Sequence, residues 1–564
     1  MAARRPRGSQ PHRRDPLPRR RRDREPGAFP SGCPLFPRPD DRRRRRPSLP
    51  RRRRCRRDLH GVRSKRTHAA EGEPVNAPPE NDFPIAIIGA GFAGIGTAIQ
   101  LKKAGIHSFT IFERAAEVGG TWRDNTYPGA ACDVPSHAYS LSFEQSPNWS
   151  RRFAESGEIQ DYLLSITDKW KLREHIRFEE EIVEARFDED SGSWTLTTGK
   201  GGSFTARVVV ACAGGLVNPA WPDIKGLQSF TGELFHTARW NHDYDLAGRR
   251  VAVIGTGASA VQVVPNIARE VEHLDVYQRT PAWVVPKRDK VYSERFKRLL
   301  TRFPILLHAS RYLKYWLSEL MGPVVFLDNE RLSKLGEKGS LAHLEAQVQD
   351  PELRKKLKPD FQFGCKRILI SDDYWASFER PNVELVTDPI EEIKSTGIQS
   401  KDGTFRPVDA IIVATGFDLG LASAPFPITG LGGRTIDDAW KEGAVAYKGM
   451  SVSGFPNWFI LMGPNTGPGH TSVLVFTEAQ IAHVLGAIKK IRGKGLRYVN
   501  VRQAVQDRYN EKLQDRMKHM VWHTGCNSWY LSPDGSNHSL YPGFAAEYVL
   551  RARRFRTRDY EIVR

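Results

Sequence analysis

Pro84-Ile-Ala-Ile-Ile-Gly89-Ala-Gly91-Phe-Ala-Gly94 decides the fold of this 564-residue chain. A short, continuously apolar run of this kind makes a buried parallel strand. It passes directly into three glycines spaced G-x-G-x-x-G and then into a helical pattern. The glycines let the backbone approach a pyrophosphate at a helix N-terminus, where free N–H groups and the macrodipole favour an anion. A second strand, Ser108-Phe-Thr-Ile-Phe-Glu113, closes the unit with an acid 24 residues after Gly89. Strand, glycines, helix, strand and acid in this order read as a dinucleotide-binding unit, with Gly89, Gly91 and Gly94 in its turn. Glu113 is expected to accept from an adenosine ribose hydroxyl.

The same grammar returns at Arg250-Val-Ala-Val-Ile-Gly255-Thr-Gly257-Ala-Ser-Ala260, with alanine in the third glycine position. Gly255, Thr256, Gly257 and Ser259 form this second turn. Its closing strand, Leu274-Asp-Val-Tyr277, ends in Gln278-Arg279-Thr280 rather than in an acid. An acid there would repel a 2′-phosphate, whereas a guanidinium pairs with one bidentately. NADP(H) is therefore expected in the second unit, held by Arg279 and Thr280.

Between the two units, Ser193-Trp-Thr-Leu-Thr-Thr and Ala206-Arg-Val-Val-Val-Ala-Cys-Ala-Gly214 read as strands returning to the first. A similar run, Asp409-Ala-Ile-Ile-Val-Ala-Thr-Gly416-Phe-Asp418, follows the second. The prediction is an α/β fold with two Rossmann-like domains. The first is discontinuous, 81–222 and 391–564, around a nucleotide domain at 223–390 that carries a helical, lid-like insertion at about 288–350. Which small molecule fits depends on how that insertion and the loop Gly463-Pro-Asn-Thr-Gly-Pro-Gly-His470 close over the site.

The formal charge of +20 is not spread over the chain. Residues 1–70 hold 25 Lys+Arg against 6 Asp+Glu, which leaves the remainder at +1. An Arg/Pro-rich stretch without periodic apolar residues builds no core, so residues 1–80 are expected to be an unfolded tail. A basic arm for nucleic acid or anionic lipid is the functional alternative, and a passenger tail the plainer one. After Met1 the next methionine is Met321, so a native start near residue 80 would need a non-Met codon, with Val75 the candidate. A tryptic peptide spanning Arg66 to Val75 from the native protein refutes that start.

Six cysteines lie scattered without a C-x-x-C pair, which speaks against a disulfide framework or a metal site and for a reducing, cytoplasmic location. The most apolar long stretch, Phe303 to Leu327, is interrupted by His308, Arg311, Lys314 and Glu319. It is too polar to span a bilayer and reads as one or two amphipathic helices.

Two longer motifs narrow the class. F-x-G-x-x-x-H-x-x-x-W is met at Phe230, Gly232, His236 and Trp240, on the connection into the second unit, where a two-nucleotide enzyme needs a joint. G-x-W-x-x-x-x-Y-P-G-x-x-x-D is met by Gly120, Trp122, Tyr127, Pro128, Gly129 and Asp133. With these the chain resembles, over roughly residues 82–550, the type I Baeyer-Villiger monooxygenases among the flavoprotein monooxygenases. The residue after Trp240 is usually Pro or Asp in that family and is Asn241 here.

The resemblance implies FAD in the first domain and NADP in the second. It implies that Arg367, in Gly364-Cys-Lys366-Arg367, steadies a negative flavin peroxide, with Asp133 as its charged partner. Lys366 joins Arg279 and Thr280 at the 2′-phosphate, Trp529 contacts the nicotinamide cofactor, and Gly120, Trp122 and Tyr139 line the flavin. His236 is expected to steady the joint by hydrogen bonding rather than to move a proton. A fixed cation in a dry site suits this chemistry, and a guanidinium keeps its proton where Lys or His could lose it.

The implied reaction is NADPH- and O2-dependent insertion of oxygen beside a ketone carbonyl, giving an ester or lactone through a C4a-peroxyflavin. An N- or S-oxygenating flavin monooxygenase is the alternative, although such relatives usually place Phe or Tyr where Trp240 stands. A nicotinamide-disulfide reductase would need a redox cysteine pair near the flavin. The expected partners are a small ketone and O2, with no nucleic acid, no metal and no transmembrane segment. Oligomeric state is left open.

Overall fold

The structure is a computed structural model, and it describes residues 83–418, 425–526, 528, 530–532 and 535–564. The Arg/Pro-rich segment 1–80, the start near Val75 and Trp529 lie outside the described residues.

Two five-stranded parallel sheets organise the chain. The first runs in the order Trp458–Ile460, Val208–Ala211, Ile85–Ile88, Phe109–Phe112, Ile176–Arg177. Its central strands are short and wholly apolar because helices or another sheet cover both faces, leaving no solvated side to accommodate polar residues. Helix Phe92–Lys103 follows the first strand and packs Ile95, Ala98 and Ile99 into that core together with Ile481, Val484 and Ile488 of helix Val473–Gly493. Gly94 has no alternative in this turn: a Cβ there would lie 1.9 Å from the Gly89 carbonyl oxygen.

The second sheet runs Val383–Val386, His273–Tyr277, Arg250–Ile254, Ala410–Val413, Glu233–His236. This corrects the expected division at 390/391. Ala410–Val413 belongs to the second sheet, where Arg250 fixes its entry: the Arg250 N–H donates to Asp409 Oδ2 at 2.9 Å and its guanidinium to Oδ1 at 2.8 Å. Ile393 and Ile398, from the antiparallel strands before it, and Val408 pack on Ala252, Ile254 and Ile411 of the same sheet. The late strand that joins the first sheet is Trp458–Ile460. Ser193–Thr198 likewise lies outside the first sheet, in a separate sheet with Ile428–Thr429, Ile182–Asp188 and Ser203–Ala206. Trp194 of that sheet packs at a tilt against Trp458, with ring centroids 4.7 Å apart.

The insertion forms helices Glu294–Arg302, Pro304–Phe326 and Glu330–Gln347. It leaves and re-enters the second unit between His273–Tyr277 and Val383–Val386, which are direct neighbours. Among the described residues no helix is long and apolar enough to cross a membrane.

Candidate active site where the two nucleotide units meet

Each nucleotide turn delivers an uncapped helix N-terminus. Gly91 caps helix Phe92–Lys103 and Gly257 caps helix Ala258–Ile267, and neither end has a side-chain hydrogen bond to its free amides. These amides are the groups an anion satisfies. Glu113 is 4% exposed at the end of its strand. Its Oε2 accepts from the Ala90 N–H at 2.9 Å, and Oε1 accepts from Ala115 N–H and the Arg123 guanidinium, both at 3.0 Å. Since a carboxylate oxygen has two acceptor positions, Oε2 keeps one for a ribose hydroxyl. Thr256 Oγ1 donates to the Thr280 carbonyl at 2.8 Å, fastening the second turn to the strand end that carries Arg279.

Lys366 and Arg279 lie close enough for Arg279 to depress the Lys366 pKa, a shift in which burial is the larger cause. Lys366 Nζ sits over the Phe361 ring, 4.8 Å from its centroid. Two cations gathered beside a strand end repel each other unless a polyanion joins them, which is the donor chemistry a 2′-phosphate needs.

The loop after Tyr127 bridges the two units. Tyr127 O–H donates to Gln262 Oε1 at 2.9 Å, and Gln262 Nε2 donates to the Ala131 carbonyl at 2.9 Å. Gly129, at φ +80°, lies against Asn266 and the Gln262 carbonyl, where a Cβ would be 2.1 Å from Asn266 Nδ2. Docked this way, the loop ends at Asp133, which pairs with Arg367 arriving from the second unit. The charge of Asp133, the largest cause, raises the Arg367 pKa above its ordinary value against the penalty of burial. The Arg367 side chain keeps 47% accessibility.

Around this pair stand aromatic groups. Trp122 Nε1 donates to Tyr139 O–H at 3.1 Å, and Tyr139 meets Phe92 edge-on at 5.3 Å. Burial, first, and the charges of Arg367 and Asp133 set the Tyr530 hydroxyl, which is pushed up to about 12. Sequence reading missed Tyr530 and Gln262. Tyr530 follows the motif residue Trp529, and nothing in a helix interior marks Gln262 as a bridge.

Cys365 and Cys526 form a disulfide across 161 residues, which corrects the expectation that the scattered cysteines leave no such bond. It ties the segment of Lys366 and Arg367 to the one that leads to Tyr530. Disulfides that restrict the unfolded chain in this way typically stabilise by about 2–4 kcal/mol. Cys526→Ser is therefore expected to lower the urea midpoint measurably, and adding reductant to the wild type is expected to do the same.

His236 is fully buried at the end of its strand, opposite Val413. Its Nδ1 accepts from the Ala238 N–H at 3.1 Å, and its ring meets Trp221 and Phe417. Those two rings belong to the linkers between the units, which are themselves joined: Ala220 N–H donates to Gly416 O and Asp418 N–H to Asn218 O, both at 2.9 Å. No hydrogen bond or ion pair of the described residues links His236 to Arg367 or Asp133. Trp240 packs edge-on against Phe235 at 4.9 Å, and Asn241 donates to Glu233 Oε1 at 2.7 Å.

Burial pushes the His236 pKa down to about 4, with Gly416 partly opposing it, and pushes that of His137 to about 4 as well. The unfolded chain takes up these protons near pH 6.5 and the folded chain does not until about pH 4. Stability is thus complete above 6.5 and is lost as pH falls towards 4, by up to about 1.4 kcal/mol per pH unit for each histidine. In thermal melts from pH 8 to 5, His236→Gln is expected to show a shallower decline than the wild type.

Three comparisons bear on this geometry. Residues 86–302 match the family model described as pyridine nucleotide-disulphide oxidoreductase. A Baeyer-Villiger monooxygenase of Pseudomonas aeruginosa is 45% identical over 484 residues, 85% of this chain and 91% of that one. A Baeyer-Villiger monooxygenase of Streptomyces coelicolor is 41% identical, over 85% and 92%. Among solved structures, cyclohexanone monooxygenase from Rhodococcus sp. Phi1 bound to NADP+ superposes with a TM-score of 0.76 at 27% identity, covering 85% of this chain and 99% of that one. OTEMO in complex with FAD and NADP does so at 0.76 and 29%, with the same coverage.

Proposed function

The chain belongs to the Baeyer-Villiger monooxygenases, and from that membership we propose that it converts a small ketone to an ester or lactone, with Arg367 and Asp133 at the reacting centre. It is an NADPH-dependent flavin monooxygenase that uses FAD, NADP and O2. Bound FAD supplies storage for two electrons from NADPH and the activation of dioxygen.

The residues of the chain take the following parts. The Gly89–Gly94 turn and Glu113 hold the flavin nucleotide, while Gly120, Trp122 and Tyr139 line the ring. The Gly255–Ser259 turn holds the nicotinamide nucleotide by its pyrophosphate, and Arg279, Thr280 and Lys366 grip its 2′-phosphate. Trp529 is assigned to the nicotinamide side. Arg367 holds its proton throughout, as a guanidinium does, and the charge of Asp133 favours that form further. A permanent positive charge stabilises negative charge as it develops, without a proton having to move, and the more so where bound nucleotide and substrate exclude water. Asp133 positions that guanidinium. His236 stays neutral at neutral pH and steadies the linkers, so that the nicotinamide domain swings without parting from the flavin.

The pairing of Arg367 with Asp133 across the two units carries this reading. Reduced NADP is available in the cytoplasm, whereas the Cys365–Cys526 disulfide is a bond that a reducing compartment disfavours. The test is a panel of cyclic and open-chain ketones with NADPH in air, followed by cofactor consumption and product mass. Products heavier by one oxygen support the reading. NADPH oxidation without any oxygenated ketone, or oxygenation of amines and sulfides only, overturns it.

A further inference from the structure

Helix Pro304–Phe326 carries its polar and apolar sides the wrong way round for a helix that covers a core. Its charged side chains point inward. Arg311 is 7% exposed, donates to the carbonyls of His137, Ala138 and Ser140, and pairs with Glu478 at 3.3 Å. Lys314 donates to Ser310, and Glu319, 3% exposed, accepts from the Ala546 N–H at 3.3 Å. Leu307, Val324 and Phe326 are buried, but a longer apolar row points outward: Ile305 is 75% exposed, Tyr312 61%, Leu313 62%, Trp316 53%, Leu320 73% and Met321 55%. From Ile305 to Met321 no exposed position holds Lys, Arg, Asp or Glu. Spacings of three and four residues place these side chains in one row along a single helix face.

Burying a row of this kind recovers hydrophobic free energy that the free protein forgoes, and an uncharged apolar stripe of this size marks a binding surface. Charge selects the partner. The preceding helix, Glu294–Arg302, exposes Arg295, Arg298 and Arg302, while its one acid, Glu294, is paired with Lys297 at 2.9 Å. An apolar row with a central tryptophan, flanked by arginines, is the composition of a helix that lies in a lipid interface. The segment 1–70 adds a surplus of 19 positive charges to the same chain. Among the described residues no helix is long and apolar enough to cross a membrane.

We propose that helix Pro304–Phe326 docks the protein on an anionic lipid surface, its axis along the membrane plane, with the apolar row in the acyl boundary and Arg295, Arg298 and Arg302 on the headgroups. The inner face of the helix holds the carbonyls of residues 137, 138 and 140, just beyond Asp133. A substrate dissolved in lipid is thus brought beside the site. The docking stands apart from the ketone reading, because vesicle binding is measured without turnover.

The test is co-sedimentation of the full chain with vesicles of phosphatidylcholine, alone or in equal parts with phosphatidylglycerol. The wild type is expected to partition onto the anionic vesicles. Leu313→Gln, Trp316→Gln and Leu320→Gln together are expected to lower that partition at least about tenfold while the protein stays yellow and oxidises NADPH. Changing Arg295, Arg298 and Arg302 to Gln is expected to weaken binding to anionic vesicles and reduce its salt dependence. Two results overturn the proposal. One is a triple glutamine variant that binds as tightly as the wild type, which assigns any binding to the N-terminal segment. The other is a wild type that ignores vesicles but sediments as a dimer which the triple variant abolishes, which makes the row a contact between copies.

Discussion

Arg367→Ala is expected to lower ester or lactone formation on the order of 10²–10³-fold, the usual loss when one preorganised donor is taken from a developing negative charge. NADPH oxidation is expected to fall far less, because the nicotinamide site depends on other residues. The signature is therefore uncoupling: cofactor consumed, hydrogen peroxide released and little oxygenated product. Arg367→Lys separates charge from shape, since an ammonium supplies the charge but not the planar fork, and burial lowers its pKa. Its activity is expected to lie between those of the wild type and the alanine variant. Asp133→Ala leaves the guanidinium charged but without the partner that positions it, and is expected to show the same uncoupling to a smaller degree. Product mass and peroxide release measured together check all three. Full ester formation by Arg367→Ala would end the assignment.

The second large effect is expected at the cofactor's 2′-phosphate. A charge-assisted hydrogen bond contributes about 1.5–3 kcal/mol, so removing Arg279 or Lys366 is expected to lower kcat/KM for NADPH roughly 10–100-fold, mostly through KM. NADH has no 2′-phosphate, and its kcat/KM is expected to stay nearly constant. The NADPH-to-NADH ratio therefore falls, and this distinguishes loss of a phosphate contact from general damage. A double variant that keeps the wild-type ratio would place the phosphate elsewhere.

How far the sequence reached depended on how local each signal was. Both glycine turns were legible because strand, turn and helix are contiguous, and their steric demands operate between residues only a few positions apart, as with Gly94 against Gly89. Membership of Ala410–Val413 was not legible. A four-residue apolar strand reads alike in either parallel sheet, and the choice fell to the Arg250–Asp409 contacts and the packing of Ile393 and Ile398. Arg367 and Asp133, 234 residues apart, were joined in the sequence reading by family motifs alone. Tyr530 and Gln262 had no such motif and went unread. The Cys365–Cys526 bond went the same way, since spacing carries no information about cysteines brought together only by folding.

What the sequence determined by itself was the pair of dinucleotide units and the chemistry on offer at each, because backbone sterics and side-chain charge are properties of short stretches. What tertiary structure decided was which strand joined which sheet, which distant charges met, and which side of helix Pro304–Phe326 faced water. Periodicity establishes that a helix has two faces, but only the neighbours packed against it decide which one is buried, and here Glu478, Ala546 and the carbonyls of 137, 138 and 140 claimed the charged one.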